Sequence, residues 1–274
     1  RFRVNLLQQL GHIGMVARRV SSWIPDFEGL NLPPSIKNLC THDQGMVLLA
    51  GVTGSGKSTT IASMLNWINA NYRKHILTLE DPIEFVHTRN RCLISQREVG
   101  VHCKNFSAAL HSALREDPNV ILVGEMRDHE TISIAVTAAE MGILVMGTLH
   151  TNGAAQTVDR IVNVFPADKQ APVRAMLSTS LRGVVSQQLL PKKEGGGLVA
   201  ALEILINTPA TANLIRQGKL EQLETAMQSG RKTGQCTMDK AIAELFDRGT
   251  ISGRTAYDFA NDKEKFKEHR LLDA

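Results

Sequence analysis

The sequence predicts an α/β protein with a mainly parallel β-sheet, and three observations support this. Short apolar runs typical of buried strands alternate along the chain with segments of helical spacing. A glycine-rich loop lies directly between one such run and a helix. Acidic or histidine residues follow three of the other runs. Because strand–helix–strand crossovers keep successive strands parallel, helices are expected to cover both faces of the sheet.

The composition fits one large α/β domain with a smaller appendage. The 274 residues are 43% hydrophobic and 21% charged, which is ordinary for a soluble globular protein. The aromatic content of 4% disfavours nucleic-acid modules that stack bases on aromatic side chains. A net charge of +4 permits contact with an acidic membrane surface or with nucleic acid but predicts neither.

The cysteine pattern and the apolar runs indicate a cytosolic protein. Four cysteines stand far apart, without a C-x-x-C pair, so we expect reduced thiols and no zinc site. No apolar run approaches the roughly 18 residues that a membrane-spanning helix needs, and no signal peptide is evident.

The first 35 residues predict the end of one domain and a linker. Residues 1–22 hold a strand at Arg1–Asn5 and a second at Met15–Val20, as expected for the end of a small β-containing domain whose earlier part is missing. The stretch SSWIPDFEGLNLPP contains three prolines and no periodicity. Residues 23–35 are therefore predicted to be a linker.

Residues 36–206 are predicted to form the α/β core. The predicted strands are Met46–Ala50, His75–Leu79, Val120–Val123, Leu144–Leu149 and Leu198–Ile206. The predicted helices are Lys57 to about Asn71, Phe106 to about Leu114, Glu130–Met141 and a long helix over about Pro172–Leu190. After Asn207 the strand pattern stops, and residues 207–274 are predicted to be a small helical region divided by glycines.

The glycine-rich loop predicts a phosphate site. Residues 51–58 read GVTGSGKS, which matches G-x-x-x-x-G-K-[ST] between a strand and a helix. Glycines allow successive backbone N–H groups to converge on phosphate oxygens, and the helix dipole adds to this. Lys57 supplies a charge for the β- and γ-phosphates, and Ser58 offers a hydroxyl ligand to Mg²⁺. The sequence therefore predicts ATP binding with Mg²⁺.

Three further strands end in residues suited to hydrolysis. Glu80, Asp81 and Glu84 follow the second core strand, and Glu125 follows Val120–Val123. Ligands in an open α/β sheet bind at these carboxyl ends, where an acid can hold Mg²⁺ through water or orient the attacking water. Which acid acts as the base stays open. His150 ends a further apolar run and is a candidate sensor of the γ-phosphate.

The order of these motifs resembles the secretion-ATPase superfamily, and within it the retraction ATPases of bacterial type IV pili. The similar segments are GVTGSGKSTT, ILTLEDPIEFVH, REDPNVILVGEMRD and GTLHTN, which match the Walker A, Asp box, atypical Walker B and His box. The stretch Gln187–Gly197 lacks the paired cysteines of extension-type and general secretion ATPases, which favours the retraction branch. Ala210–Gln217 departs from the A-I-R-N-L-I-R-E helix of that branch at Ala212 and Gln217, so an accessory paralogue stays open.

The resemblance implies roles for individual residues. It implies a RecA-like motor domain preceded by a small PAS-like domain, assembled as a homohexamer. It implies a catalytic role for Glu84, Glu125 and His150, with Ser58 and Glu125 on Mg²⁺, the latter through water. It implies that amino-terminal arginines reach nucleotide, which makes Arg1, Arg3 and Arg18 candidates. The implied nucleotide contacts are Gly51, Val52, Thr53, Gly54, Ser55, Gly56, Lys57, Ser58 and Thr59.

The resemblance also implies partners and a location. An inner-membrane pilus platform protein and a retraction ATPase paralogue are expected to bind the ring, at the cytoplasmic side of the inner membrane at the pilus base. No nucleic-acid partner is expected. Three alternatives remain: a type IV secretion or conjugation ATPase, which shares the four motifs, a RecA-like nucleic-acid translocase, and a nucleotide-binding subunit without turnover. We find no Arg/Lys cluster with interleaved aromatics, as a translocase requires, and the intact Lys57 and acids disfavour a subunit without turnover.

Overall fold

A twisted sheet of parallel strands with one antiparallel edge strand forms the centre of the protein. The computed structural model describes residues 2–20 and 23–269. Within them the strands are β1 Phe2–Gln9, β2 His12–Arg19, β3 Gly45–Ala50, β4 His75–Glu80, β5 Leu93–Glu98, β6 Val120–Val123, β7 Leu144–Leu149, β8 Leu181–Pro191 and β9 Leu198–Ile206. The helices are α1 Pro34–Leu39, α2 Lys57–Asn71, α3 Phe106–Ala113, α4 His129–Glu140, α5 Ala154–Asn163, α6 Ala167–Ser180, α7 Pro209–Gln217, α8 Leu223–Ser229, α9 Met238–Asp247 and α10 Gly253–Phe259.

The strand order of the central sheet places four carboxyl ends side by side. In the described part of the chain the sheet runs β5-β4-β6-β7-β3-β8-β9. The first six strands in this order are parallel to one another, and β9 pairs with β8 in the antiparallel sense. Strands β4, β6, β7 and β3 are consecutive neighbours, so the segments that follow them meet at one edge. The predicted α/β class with a mainly parallel sheet is confirmed.

Alternate residues of β3 pack on opposite faces of the sheet. Met46, Leu48 and Ala50 belong to the core formed with α3, α4, α5 and α6. Val47 and Leu49 belong to the core formed with α1 and α2. All five side chains are fully buried, because a parallel strand between helical layers has no solvent-facing side. This rigid strand fixes where the phosphate loop begins.

The first two strands form a separate hairpin. Strands β1 and β2 pair from Phe2 with Arg19 to Gln9 with His12, and the turn residues Leu10 and Gly11 have φ of 49° and 77°. Positive φ at both positions gives the tight turn whose twist matches that of the strands. Every side chain of β1 is exposed. The first strand, predicted over Arg1–Asn5, extends to Gln9. Arg1 lies outside the described residues.

The prediction of a helix over Pro172–Leu190 is wrong in its second half. Helix α6 ends at Ser180, and Leu181 begins strand β8. Strand β8 is enclosed by β3 and β9, so its sequence LRGVVSQQLL lacks the alternation that marks a half-buried strand. At Gly183 a Cβ would lie 2.8 Å from the Leu205 carbonyl oxygen, so this glycine permits the tight pairing with β9.

In the described residues after Asn207 the regular elements are helices. Thr208 caps α7, and its side chain accepts from the Thr211 backbone N–H at 3.4 Å. Helices α9 and α10 pack with strand residues Leu190 and Ala201 in a third apolar cluster. The C-terminal region is thus attached to the β8–β9 end of the sheet.

Candidate nucleotide-binding site

The phosphate loop joins the end of β3 to the start of α2. Gly51, Gly54 and Gly56 have φ of 141°, 83° and 88°, in the region that favours glycine. A Cβ on Gly51 would lie 2.5 Å from the carbonyl oxygen of Gln187. One on Gly56 would lie 2.6 Å from the side-chain nitrogen of Gln187. The loop therefore needs glycine for its curvature and for its close contact with β8.

Gln187 is a site residue that the sequence analysis missed. Its side-chain nitrogen donates to the Ser55 carbonyl at 2.8 Å, and its side-chain oxygen accepts from Thr60 Oγ1 at 2.8 Å. The side chain is buried. Gln187 thus fixes the loop to the helix that follows it. The polar pair Ser186–Gln187 interrupts an apolar run and could have indicated a site residue. Because this segment was predicted to be helical, the pair could not be placed next to the phosphate loop.

Lys57 lies inside the loop, with its amine folded back on the backbone. Lys57 Nζ donates to the carbonyls of Gly51 at 2.7 Å and Val52 at 2.9 Å. Burial lowers the pKa of Lys57, and the nearby carboxylates of Glu125 and Glu84 oppose that shift. These interactions place both acids within electrostatic range of the Lys57 amine.

The segment after β4 carries two acids in different environments. Glu80 accepts hydrogen bonds from Thr78 Oγ1 at 2.7 Å and from Gln96 Nε2 at 3.2 Å. Burial raises the pKa of Glu80, whereas these hydrogen bonds lower it. Glu84 is exposed and lines the cavity at the end of the sheet. Both acids line the cavity, and Glu84 is the more exposed of the two, whereas Glu80 is held by Thr78 and Gln96.

Glu125 and His150 lie together at the ends of adjacent strands. Glu125 Oε1 is 2.9 Å from His150 Nε2, and it also accepts from Arg127 Nε. The Glu125 side chain is 19% exposed and that of Arg127 is 75% exposed. Arg127 was not among the predicted site residues, although it lies in the quoted REDPNVILVGEMRD segment. Its hydrogen bond to Glu125 raises the pKa of Arg127.

Gly124 stands where many P-loop enzymes have an aspartate, and the packing explains the glycine. The Gly124 N–H donates to the Leu79 carbonyl at 2.7 Å, which continues the pairing of β6 with β4. A Cβ at this position would lie 2.9 Å from the Leu79 oxygen and 3.2 Å from the Glu80 Cα. Both are backbone atoms, which cannot move aside. The acid of this strand is therefore carried one residue later, by Glu125.

Eight of the predicted site residues line one cavity of about 390 Å³. Its lining includes Lys57, Ser58, Glu84, Glu125 and His150, so the structure brings together residues that follow β3, β4, β6 and β7 along the chain. Thr53 and Gly54 of the loop also line this cavity. Gly56 and Thr59 line the adjoining cleft.

The candidate arginines lie beside the same loop. Arg3 lines the cavity, and Arg3 and Arg18 line the adjoining cleft together with Lys57. Arg1 lies outside the described residues. The two described arginines therefore face the phosphate loop of their own chain.

The residues present fit ATP with Mg²⁺. Within the described residues, the buried Ser55 Oγ has no hydrogen-bond partner, and it lies inside the phosphate loop. The start of α2 adds unpaired backbone N–H groups and a positive dipole end, which favour phosphate. Ser58 and Glu125 supply oxygen atoms of the kind that Mg²⁺ prefers. The donor set thus matches a triphosphate and its metal ion.

This combination of fold and site defines an ATPase of the P-loop class. The chain belongs to the family described as type II/IV secretion system protein, whose match spans residues 31–238. It is 52% identical to the type IV pilus retraction ATPase PilT of Pseudomonas aeruginosa over 97% of this chain and 77% of that protein. It is 42% identical to the type IV pilus ATPase PilU of the same organism over 96% of this chain and 69% of that protein.

A solved structure shows the same fold. The crystal structure of the pilus retraction motor PilT with bound ADP superposes with a TM-score of 0.91 at 46% identity, covering 97% of this chain and 76% of that one. Among the described residues, no helix is long and apolar enough to cross a membrane.

Proposed function

We propose that the chain is the subunit of a homohexameric ATPase ring that drives retraction of a type IV pilus. The 52% identity to PilT along nearly the whole chain carries this proposal. The identity to PilU is lower, at 42%, which favours the role of the main retraction motor over that of an accessory paralogue.

The site suggests how its residues share the work. The loop N–H groups and Lys57 bind the β- and γ-phosphates of ATP, and Lys57 exchanges its two carbonyl partners for phosphate oxygens. Ser58 and Glu125 would hold Mg²⁺, which would neutralise charge on the phosphates. Glu84 or Glu125 orients the attacking water and takes its proton. Positioning and charge stabilisation supply most of the catalysis in phosphoryl transfer, as this arrangement of fixed donors and acids requires.

His150 is suited to report the γ-phosphate. Its Nε2 lies 2.9 Å from Glu125 Oε1, so a phosphate oxygen nearby can compete for the same imidazole. A side chain with two alternative partners converts the presence of the γ-phosphate into a change of position. We propose that this change is the first mechanical step of the motor.

The proposed partners follow from the pilus assignment. We propose that the ring binds an inner-membrane platform protein at the cytoplasmic side of the pilus base, with a second retraction ATPase as a further partner. No nucleic acid enters this proposal. We also propose that residues 1–22, which include the hairpin, are part of a PAS-like domain. Residues 23–35 are then the linker, 36–206 the ATPase core and 207–274 the helical C-terminal region.

The test is the Lys57→Ala variant in a strain that lacks the native gene. Lys57 faces phosphate, so we expect loss of ATP turnover and of twitching, with an unchanged melting temperature. Exposed Lys169, at the start of α6, provides the control: Lys169→Ala should restore both activities. Near wild-type hydrolysis by Lys57→Ala would disprove the site. Normal twitching without any copy of the gene would disprove the pilus role.

A further inference from the structure

The loop that follows His150 is held by residues of β8 and β9. The Gly153 N–H donates to Ser186 Oγ at 3.0 Å, and the Ala154 N–H donates to Glu203 Oε1 at 2.6 Å. Helix α5 begins at Ala154, and its N-cap residue Gly153 offers no side chain to its first turn. The carboxylate of Glu203 therefore takes the part of a capping group from a different strand.

The second oxygen of the same carboxylate binds another helix. The Met238 N–H donates to Glu203 Oε2 at 3.2 Å, at the start of α9. The N-cap of α9, Thr237, makes no side-chain capping bond of its own. Glu203 is 8% exposed, so both hydrogen bonds are shielded from water. One buried carboxyl group thus lies at the positive dipole ends of two helices.

These two helices belong to different parts of the protein. Helix α5 directly follows the His150 loop, whereas α9 lies in the C-terminal helical region. A shift of the loop would change the distance from Ala154 to Glu203 Oε1, and Oε2 of the same carboxylate binds Met238. Glu203 pairs across the sheet with Ser186, which lies next to Gln187. Neighbouring residues of β8 and β9 therefore contact three segments. Gln187 binds the phosphate loop, Ser186 and Glu203 bind the His150 loop, and Glu203 also binds the C-terminal region.

We propose that Glu203 is a positioning residue that sets the place of the His150 loop and ties it to helix α9. This role rests on the proposed ATPase function, because it acts through His150. Glu203 is not among the described residues that line the nucleotide cavity or the adjoining cleft. Its loss should therefore reduce turnover without weakening ATP binding.

The variant Glu203→Gln tests this, because glutamine keeps the size but offers an acceptor oxygen to only one of the two N–H groups. We expect kcat for ATP to fall about 10- to 100-fold, as misplacement of a catalytic group typically causes, with KM within about twofold. Hydrogen exchange should become faster at the start of α5, of α9 or of both. With a non-hydrolysable ATP analogue, the wild type should gain protection at both helix starts, and the variant should lose that gain at α9.

Asp239 offers a matched control. It is equally buried and follows Met238 directly, but its two oxygens accept from the Asn261 and Asp262 N–H groups at 2.7 and 3.1 Å rather than from the start of α5. Asp239→Asn should speed exchange around Asn261 and leave kcat within about twofold of wild type. An equal loss of kcat in both variants would show a purely structural role and overturn the proposal, as would wild-type kcat in Glu203→Gln.

If Glu203→Gln does not fold, Ser186→Ala tests the loop half alone. It removes the Gly153 bond and leaves α9 untouched, so kcat should fall while exchange changes only near Gly153 and Ala154. Unchanged kcat in Ser186→Ala would then contradict the proposal. If the wild type itself hydrolyses no ATP, the proposed function fails. The hydrogen-exchange rates at the starts of α5 and α9 then still decide whether Glu203 connects the two helices.

Discussion

At the scale of single residues, the carboxylate of Glu125 has two competing duties. It accepts from Arg127 and lies 2.9 Å from His150, yet it must also meet Mg²⁺ or the attacking water. Glu84 has no such pairing among the contacts described above and is more exposed. The two acids therefore differ in how far they must rearrange before hydrolysis.

Substitution of each acid by glutamine should separate these roles. Glu125→Gln should keep ATP binding and lose hydrolysis by about 10²- to 10⁴-fold, because a general base contributes to the transition state more than to binding. Steady-state rates and nucleotide affinity for Glu125→Gln and Glu84→Gln identify the base as the acid with the larger loss. Exposed Glu130 on α4 serves as the control. Wild-type rates in both variants would refute the site.

His87 lies beside the site and titrates far from its usual range. The imidazole is 8% exposed, its Nδ1 has no hydrogen-bond partner among the described residues, and burial lowers its pKa to about 4. The folded state thus holds a neutral histidine, whereas the unfolded chain binds a proton near pH 6.5. The stabilising contribution is complete above pH 6.5 and is lost as the pH falls towards 4.

The His87→Phe variant should remove this part of the acid sensitivity. We expect the wild type to lose about 2–3 kcal/mol more unfolding free energy than the variant between pH 6.5 and 4. Urea titrations at several pH values measure the difference. The same change at exposed His111 on α3 controls for loss of an imidazole. Parallel pH curves for wild type and His87→Phe would contradict the assignment.

At the scale of elements, strand β6 shows how backbone packing shifts a catalytic acid along the chain. Gly124 passes so close to Leu79 and Glu80 that no side chain fits. An aspartate restored at this position should therefore not act as a second acid. It should instead separate β6 from β4.

We expect Gly124→Asp to destabilise the protein by about 1–3 kcal/mol, the range for overpacked sites, and to abolish hydrolysis. Thermal melting and ATPase rate measure the two effects. Gly14→Ala is the control, because the nearest atoms to its Cβ would be side-chain atoms of Leu7, the closest at 3.0 Å. A Gly124→Asp protein with wild-type stability and rate would show that the strands can separate at no cost.

The same scale explains which elements the sequence could predict. Strand β3 and helix α2 carry a motif whose chemistry fixes their order and approximate boundaries. The cavity residues Thr53, Gly54, Lys57 and Ser58 all lie in this motif. Strand β8 could not be recognised, because it is buried by partners distant in sequence and its apolar run suits a helix equally well. Gln187 and Glu203 were missed for the same reason: their roles depend on which loops the folded sheet brings next to them.

At the scale of the whole molecule, the amino-terminal hairpin has no hydrophobic core of its own in the single chain. Large apolar side chains such as Phe2, Leu6 and Ile13 are 66%, 68% and 81% exposed. A two-stranded hairpin is marginally stable in isolation. The hairpin carries Arg3 and Arg18, so whatever covers it also decides which phosphate loop these arginines serve.

Within the proposed ring, the arginines should act on a neighbouring subunit. Arg3→Ala and Lys57→Ala should each be inactive alone, since an arginine on the transferred phosphoryl group is worth about 10³- to 10⁵-fold in other P-loop enzymes. A mixture of the two should recover part of the activity, because an intact loop then meets an intact arginine. Native mass measurement should show six copies with an ATP analogue.

Exposed Arg89 supplies the control, and Arg89→Ala should remain active alone. An Arg3→Ala and Lys57→Ala mixture without recovery would place the arginine in its own subunit, as the single chain has it. A fully active monomer would exclude the ring.

Strand β9 closes one edge of the sheet, and the C-terminal region covers it. Ile204 exchanges two backbone hydrogen bonds with Cys236, at 2.8 and 3.0 Å. A shortened protein that stops at the end of β9 would leave these groups open on a long apolar strand, which is a template for strand addition by another molecule. The C-terminal helices therefore act as a guard against aggregation, and a minimal motor domain for crystallisation or inhibitor screening should retain them.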